Sequence, residues 1–252
     1  MSNIIITGAN QGIGYYMAEK FLTEGHLVGV LDLETDHLQL LKEKYKDQLL
    51  FYTCDVRDSF SVKSCVSEIA KRFQTIDIAI HNACDCTFAS MESTSEETYK
   101  EVFDTNYFGA LRLAKAVIPY MQKEQKGRIL FVSSGVGVMG FYNISPYASS
   151  KGAIESLAKC LDIEYHDKGI SFHIIHPPIT RTKSSEPFPI PSEFKADPKS
   201  VGYGLAKNIF SDRFVICHSF MQKVQTRMCY LFSIKMGRIM SSKVISGFEG
   251  KR

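Results

Sequence analysis

The chain has 252 residues, of which 44% are apolar and 23% charged, enough for one large α/β domain with its own core. Its formal net charge of +3 is too small to indicate nucleic acid binding, and no run approaches the roughly 18 apolar residues of a membrane-spanning helix. The seven scattered cysteines contain no C-x-x-C pair and are typical of free thiols in a reducing compartment.

Short strands alternate with helices along most of the chain. Apolar or β-branched runs predict seven strands, at residues 3–7, 27–33, 49–54, 76–80, 127–133, 170–175 and 213–217. Apolar periodicity predicts a first helix ending near residue 23 and further helices at residues 35–45, 59–73, 95–122, 147–166 and 199–210. The proline-rich stretch at residues 187–198 is interpreted as a mobile flap or loop.

Strands that alternate with helices of ten or more residues form a parallel sheet with right-handed crossovers. We therefore predict an α/β, Rossmann-type, doubly wound three-layer sandwich with a seven-stranded parallel sheet over residues 1–218. A C-terminal amphipathic helical tail is predicted over residues 219–252.

A glycine-rich turn follows the first predicted strand and opens the first helix. It has a G-x-x-x-G-x-G pattern and comprises Gly8, Ala9, Asn10, Gln11, Gly12, Ile13 and Gly14. Glycine allows a tight turn and a close backbone approach to a pyrophosphate, which then meets the helix N terminus. We interpret the turn as a nucleotide-binding loop, and the competing interpretation is a structural turn.

Asp32 stands at the end of the second predicted strand, 18 residues beyond Gly14. A carboxylate there can accept hydrogen bonds from the adenosine ribose hydroxyls and would repel a 2′-phosphate. The nearby Gln11, Tyr15 and Leu33 are uncharged, so the charge argument favours NAD, with NADP as the runner-up. A solvated aspartate at a strand end is the alternative.

Tyr147 and Lys151 stand four residues apart at the start of a predicted helix. Residues i and i+4 lie on one helix face, so the phenol and the ammonium are expected to be neighbours. A free tyrosine has a pKa of about 10, and a fixed cation nearby favours the phenolate and lowers that pKa. Taken alone, such a pair is more often a surface tyrosine beside a solvated lysine.

Two further polar residues stand where a ligand is expected. Ser134 lies at the end of the fifth predicted strand, and open α/β sheets bind ligands at strand C termini. Ser133 is the alternative, but strand alternation turns its side chain the other way. Asn106 is a poor helix former inside a predicted helix, which indicates either a task such as holding a water or a plain core amide.

The order of these motifs resembles that of the short-chain dehydrogenase/reductase family over about residues 3–217. The resemblance implies a catalytic tetrad with Tyr147 as general acid/base and Ser134 orienting the substrate. Lys151 would hold the ribose and lower the phenol pKa, and Asn106 would anchor a relay water. Tyr147 and Lys151 would also contact the cofactor, as would the glycine-rich loop and Asp32, Leu33, Asp55, Val56, Asn82, Ala83, Pro177, Ile179 and Thr182. The chain departs from the family pattern at Cys84 and Pro178, where glycine is usual.

The resemblance implies an NAD(H)-dependent oxidoreductase that interconverts a secondary alcohol and a ketone, as a homo-oligomeric dimer or tetramer. The loop at residues 135–144 is mainly apolar and uncharged, which favours a hydrophobic, steroid-like or long-chain lipid substrate. The alternatives are a dinucleotide-binding redox regulator and an NADPH-dependent reductase of long-chain ketones. No metal site is expected, because Cys84-Asp85-Cys86 lacks further ligands at a suitable spacing.

The tail at residues 219–252 carries seven cations against one acid, with apolar residues near helical spacing. Such a helix can lie in an anionic membrane interface, and the competing interpretation is packing on its own domain or on a second subunit. The tail also loosely resembles reductases of long-chain ketones such as 3-ketosphinganine. Because the chain enters a strand without room for a signal peptide, we expect a cytoplasmic protein, either free or peripheral to a membrane.

Overall fold

The computed structural model describes the backbone of residues 1–249 and the side chains of residues 1–242. Seven parallel strands form one sheet in the order β3-β2-β1-β4-β5-β6-β7. The strands are β1 Asn3–Thr7, β2 Leu27–Asp32, β3 Leu49–Thr53, β4 Ile78–His81, β5 Gly127–Val132, β6 Ile170–His176 and β7 Val215–Cys217. The predicted seven-stranded parallel sheet is confirmed, with strand ends that move by one or two residues. The tail cations Lys243, Lys251 and Arg252 lie outside the described side chains.

Helices cover both faces of the sheet. They are α1 Gly12–Thr23, α2 Leu38–Tyr45, α3 Ser59–Phe73, α4 Glu96–Phe103, α5 Gly109–Lys123, α6 Gly135–Met139, α7 Ser145–Tyr165, α8 Pro198–Asn208, α9 Phe220–Leu231 and α10 Ser233–Glu249. A π-helical turn at Asp104–Phe108 joins α4 to α5 within the predicted helix at residues 95–122. Two features differ from the prediction: α6 forms in the apolar loop at residues 135–144, and the tail divides at Phe232, whose φ of −130° is not helical.

The strand side chains alternate between two cores, one on each face of the sheet. Ile5 of β1 packs with residues of α3, α5 and α7, whereas Ile4 and Ile6 pack with residues of α1 and α8. All three isoleucines are fully buried. A parallel sheet covered on both faces requires such apolar residues on both sides. The strands are therefore rigid supports for the loops at their carboxyl ends.

The direction of strand succession reverses at β1, which pairs with β2 on one side and with β4 on the other. The loops that leave these strands separate to opposite faces, and a crevice opens outside their carboxyl ends. Within the described part of the chain, no helix is long and apolar enough to cross a membrane.

Candidate active site

A cavity of about 630 Å³ lies at the carboxyl ends of the strands. The predicted site residues that line it are Gly8, Gln11, Gly12, Ile13, Asp32, Leu33, Asp55, Val56, Asn82, Ala83, Ser134, Tyr147, Lys151, Pro177, Ile179 and Thr182. Asn10, Gly14 and Asn106 were also predicted but do not line it. The glycine-rich loop and the Tyr147–Lys151 pair therefore share one space.

The glycine-rich loop depends on close backbone contacts that a side chain would block. Gly8 and Gly12 have φ values of +68° and +63°, a region that favours glycine. A β-carbon on Gly8 would lie 2.5 Å from the Ala83 Cα, and one on Gly14 would collide with the Gly8 carbonyl oxygen and the Asn82 side-chain amide. Gly14 therefore packs the loop against the end of β4 and stays behind the cavity wall.

Asn10 holds the loop from behind and does not line the cavity. Its Nδ2 donates to Asp36 Oδ1 at 2.7 Å, and its Oδ1 accepts the His37 N–H at 3.0 Å. Its own backbone N–H donates to Asp32 Oδ2 at 2.7 Å. The buried Asn10 side chain is thus engaged within the protein, where it links the loop to the end of β2.

Helix α1 begins at the cavity without a side-chain cap. Gln11, at its N-cap position, makes no side-chain hydrogen bond to the first turn. Four other helices have a capping side chain, namely Asp58, Ser95, Asp197 and Ser219 for α3, α4, α8 and α9, whereas α2, α5 and α7 lack one as α1 does. The first N–H groups of a helix need partners and attract anions. This donor set fits a dinucleotide pyrophosphate, which Gln11, Gly12 and Ile13 would hold.

Asp32 keeps acceptor capacity at the end of β2. Its Oδ2 accepts the Asn10 N–H, but its Oδ1 receives only a 3.4 Å bond from the Glu34 N–H. Burial raises the pKa of Asp32 in spite of these bonds. An oxygen with free lone pairs beside the cavity fits the ribose hydroxyls of an adenosine.

Besides Lys151, two cations line the same cavity, and neither entered the sequence-based prediction of NAD. Arg57 follows β3 and pairs with Asp55, with Nη2 2.7 Å from Oδ2, and this bond lowers the pKa of Asp55. Lys183 lines the wall next to Thr182. The sequence distance from Asp32 to Arg57 hid this proximity, but pairing of β2 with β3 brings the loops after both strands to one edge.

Strand β5 and helix α7 bring Ser134, Tyr147 and Lys151 to the cavity. Tyr147 and Lys151 lie on one face of α7, as predicted, with Lys151 Nζ 5.5 Å from the centre of the Tyr147 ring. The Ser133 hydroxyl is fully buried and donates to Glu155 Oε1 at 2.9 Å. The prediction that Ser134, and not Ser133, presents its hydroxyl to the site therefore agrees with the geometry.

The expected lowering of the Tyr147 pKa is wrong for this arrangement. Burial, together with the neighbouring Cys84 and Cys86, raises the pKa of Tyr147 well above its ordinary value. Lys151 is itself buried, which lowers its own pKa, and its Nζ donates to the Val132 carbonyl at 2.8 Å. Tyr147 is thus a neutral phenol at neutral pH, which makes it a proton donor.

Asn106 lies in the π-helical turn and is fully buried. Its Nδ2 donates to the Asp85 carbonyl and to Ser150 Oγ, both at 2.9 Å, and its Oδ1 accepts the Asp85 N–H at 2.8 Å. The side-chain donors are therefore fully used, and the expected role of holding a relay water is not supported for this side chain. The amide instead fixes the segment Cys84–Cys86, which lines the cavity.

The cavity around Tyr147 is mainly apolar. The Phe188 ring packs edge-on against Tyr147 and Phe88, with ring centres 6.4 and 6.0 Å away. Phe188 belongs to the proline-rich segment, which is tied to the domain by the hydrogen bond from Ala196 N to the Ile179 carbonyl at 2.9 Å. Further apolar lining residues are Val136, Met139, Phe141, Ile144, Ile190 and Met240.

The tail packs on its own domain, one of the two interpretations left open by the sequence. Helix α10 packs so closely on α6 that a β-carbon on Gly237 would lie 2.5 Å from the Met139 carbonyl oxygen. Tail residues missed as site residues also line the cavity, namely Gln222, Gln225, Thr226, Cys229 and Met240. Nothing in the sequence spacing places them beside Tyr147.

A buried hydrogen-bond cluster ties α9 to α7. Glu155 Oε1 lies 2.9 Å from His176 Nε2, and Glu155 Oε2 accepts the Tyr230 hydroxyl at 2.7 Å. Burial alone would raise the pKa of Glu155, but the hydrogen bonds from His176 and Tyr230 outweigh it and lower that pKa. Glu155 continues the Lys151 face of α7, a spacing that could have drawn attention to it.

Comparison with known proteins finds relatives that match most of the chain. The sequence profile described as "short chain dehydrogenase" matches residues 2–189. "Oxidoreductase UcpA" of Salmonella typhimurium is 35% identical over 209 residues, which cover 81% of this chain and 79% of the relative. The 3-ketodihydrosphingosine reductase of Bacteroides thetaiotaomicron is 31% identical over 175 residues, or 69% of this chain but only 62% of that protein.

Solved structures share the fold. A short-chain dehydrogenase from Streptomyces avermitilis superposes with a TM-score of 0.81 at 22% identity over 98% of both chains. ElxO with NADP bound has a TM-score of 0.74 at 26% identity, covering 86% of this chain and 94% of the other. NAD+-bound xylitol dehydrogenase has a TM-score of 0.67 at 26% identity, covering 71% and 70%. The chain belongs to the short-chain dehydrogenase family.

Proposed function

We propose that the chain is a nicotinamide-dinucleotide-dependent oxidoreductase that interconverts a hydrophobic secondary alcohol and its ketone. The observation that supports this most strongly is that Ser134, Tyr147 and Lys151 line the same cavity as the glycine-rich loop. A nucleotide site alone would not need a half-buried phenol beside a serine hydroxyl and a lysine ammonium.

The proposed chemistry assigns a separate task to each side chain. When bound, the cofactor supplies or accepts the hydride at the substrate carbon. The Ser134 hydroxyl donates to the carbonyl oxygen and orients it, while the neutral Tyr147 phenol gives that oxygen its proton during reduction. In oxidation the phenolate takes the proton back, and the Lys151 cation favours this phenolate. Positioned proton transfer of this kind contributes about 10²–10⁴-fold to the rate.

For the cofactor, we propose NAD, with NADP as the alternative. The Asp32 carboxylate would accept the ribose hydroxyls and repel a 2′-phosphate. Solved relatives bind either NAD+ or NADP, so membership of the family does not choose between them. Arg57 is paired with Asp55, and this pairing reduces its attraction for a phosphate.

For the substrate, we propose a hydrophobic alcohol or ketone, steroid-like or long-chain. The lining of Val136, Met139, Phe141 and Phe188 offers apolar contact near Tyr147. One relative is named for a long-chain ketone, 3-ketodihydrosphingosine, which agrees with this class. An NADPH-dependent reductase of long-chain ketones is the alternative within the same chemistry.

A substrate series tests both the reaction and its specificity. The full chain is given secondary 2-alkanols and 2-alkanones of rising length, with NAD(H) and NADP(H), and reduced nicotinamide is followed by absorbance. We expect kcat/KM to rise about fourfold per added methylene, since each buried CH₂ gains about 0.8 kcal/mol. Phe188→Ser should flatten this rise, whereas Phe194→Ser, at a position 70% exposed in the same segment, should not. Nucleotide binding without turnover of any member of this series, or of a parallel panel of steroid alcohols and ketones, would refute the proposal and point to a redox regulator.

A further inference from the structure

Helix α9 turns polar side chains toward its own domain and large apolar side chains toward solvent. Gln222, Thr226 and Cys229 are buried, and all three line the cavity. The outward stripe repeats at helical spacing through Phe220, Val224, Met228 and Leu231. An amphipathic surface helix ordinarily buries its apolar stripe, so this orientation leaves an unpartnered apolar face.

The apolar surface continues past the end of α9 into α10. Exposed fractions are 78% for Phe220, 74% for Met221, 72% for Leu231, 50% for Phe232 and 63% for Ile234. We define the tail face as the exposed apolar residues Phe220, Met221, Val224, Met228, Leu231, Phe232, Ile234 and Ile239. Its side chains come from two consecutive helices that pack against each other and against the domain.

Cations are interspersed with the tail face, and residues 219–242 contain no Asp or Glu. The cations within this stretch are Lys223, Arg227, Lys235 and Arg238. Partial desolvation, together with the nearby charges of Arg213 and Arg227, lowers the pKa of Lys223. An apolar surface with cations among its residues fits a partner that offers both an apolar region and anionic groups next to it.

We propose that the tail face binds the surface of an anionic lipid bilayer. Its apolar side chains would insert at the level of the acyl chains, and its cations would meet anionic headgroups. A second copy of the chain is the competing occupant. A twofold contact through the same face would set each cation cluster against its own copy, and this repulsion favours the bilayer.

The location adds a functional consequence that rests on the proposed function. The same two helices line the cavity with Gln225, Cys229 and Met240. A bilayer on the tail face would therefore lie about one helix diameter, roughly 10 Å, from the proposed substrate site. A hydrophobic alcohol or ketone dissolved in the bilayer would then have a short route to that site.

Vesicle flotation of the full chain tests the binding. Vesicles of phosphatidylcholine alone are compared with vesicles containing about 30% phosphatidylserine, at low and high salt, since headgroup attraction is screened by salt. We expect flotation with the anionic vesicles at low salt and at least about tenfold weaker partitioning of Phe220→Ser/Leu231→Ser. Phe60→Ser is the matched control, because Phe60 and Phe220 are each 78% exposed. Arg227→Glu/Lys235→Glu should also lose binding, whereas Lys123→Glu/Lys126→Glu should keep it.

Three outcomes would overturn the proposal. In the first, the wild-type protein stays in the unbound fraction. In the second, Phe60→Ser loses as much vesicle binding as Phe220→Ser/Leu231→Ser. In the third, the wild-type chain never floats but self-associates, and Phe220→Ser/Leu231→Ser abolishes this self-association. Circular dichroism melting of each variant shows whether it is folded. Flotation requires no turnover, so a chain that floats but has no activity would refute only the proposed function.

Discussion

The two ends of the cavity are built in different ways. At the glycine-rich loop, the wall is formed by backbone that packs closely at two glycines. Gly8 lies against Ala83, and Gly14 lies against Asn82. At the tail, the wall includes side chains of α6 and α9 that are distant in sequence, such as Met139 and Cys229. Behind this wall, Glu155 of α7 accepts the Tyr230 hydroxyl and holds α9 in place. The first end depends on glycines that allow a particular local backbone path. The second end depends on side chains that come together only in the folded protein.

The largest expected effect is at Tyr147, where both ends meet. Tyr147→Phe removes the proton donor but keeps the ring that packs against Phe188. We expect kcat to fall about 10²–10⁴-fold while nucleotide affinity changes less than about threefold. Tyr142→Phe is the control, since Tyr142 is 44% exposed and does not line the cavity. Turnover equal to wild type in Tyr147→Phe would remove the acid/base assignment.

At the glycine-rich end, Gly14→Ala tests whether backbone packing shapes the nucleotide site. A β-carbon there collides with the Gly8 carbonyl and the Asn82 amide, so the loop must shift. Overpacking costs about 1–3 kcal/mol, and we expect nucleotide affinity to fall about 10–100-fold by calorimetry. Lys20→Ala, in the same helix but outside the cavity, should bind like wild type. Unchanged affinity in Gly14→Ala would show that the loop tolerates a different path.

Asp32 tests the cofactor choice at the same end. Asp32→Asn removes the charge that repels a 2′-phosphate, and we expect the NADH-over-NADPH preference to narrow about tenfold. Asp47→Asn removes an exposed charge elsewhere and should leave the preference intact. Tighter binding of NADPH than NADH by the wild type would contradict the charge argument, and the cavity cations Arg57 and Lys183 would then be the residues to change.

The pH dependence of that preference follows from the direction of the Asp32 pKa. Burial raises this pKa, so the carboxylate takes up a proton at a higher pH than an exposed aspartate would. As the pH falls through that value, the repulsion disappears and the preference for NADH should narrow. Asp32→Asn should show no such pH dependence. A wild-type preference for NADH over NADPH that widens in acid would contradict this prediction.

Sequence patterns predicted the glycine-rich end well because each of its features is local. Only local secondary structure, a strand, a turn and a helix, is needed to position the loop at residues 8–14, Asp32 and the Tyr147–Lys151 pair. The patterns also gave the parallel sheet and placed the strand ends to within one or two residues. Arg57 was missed as a neighbour of Asp32 because strand pairing, not sequence distance, brings the two loops together.

The tail end could not be predicted because its orientation is a tertiary property. Apolar spacing in α9 indicates a helix face but not whether that face is buried, and here it is exposed. The Tyr147 pKa was predicted in the wrong direction for a related reason. The closeness of Lys151 was foreseen, but the removal of both groups from water was not, and this desolvation raises the pKa of Tyr147.

The smallest expected effect lies at the tail end, in the Glu155 cluster. Tyr230→Phe removes one donor from Glu155, and we expect the free energy of unfolding in urea to fall by about 1–2 kcal/mol at neutral pH. The folded-state pKa of Glu155 is lowered, so its contribution is present above its unfolded pKa and is lost as the pH falls through the folded value. The difference between Tyr230→Phe and wild type should therefore shrink in acid.

Tyr165→Phe is the control for this cluster, because the Tyr165 ring packs against Phe172 at a distance from Glu155. An equal loss in both variants would indicate general loosening and not a specific bond. A Tyr230→Phe variant as stable as wild type at neutral pH would show that the cluster does not hold α9 in place.

Direct isotope transfer tests the central claim most closely. The secondary alcohol with the highest turnover is deuterated at its carbinol carbon, and the reduced nicotinamide formed with the wild-type chain is examined by mass spectrometry. We expect the deuterium to move to the nicotinamide ring and the alcohol to become the ketone. Deuterium that is released to water, or an alcohol left unchanged beside tightly bound nucleotide, would contradict it.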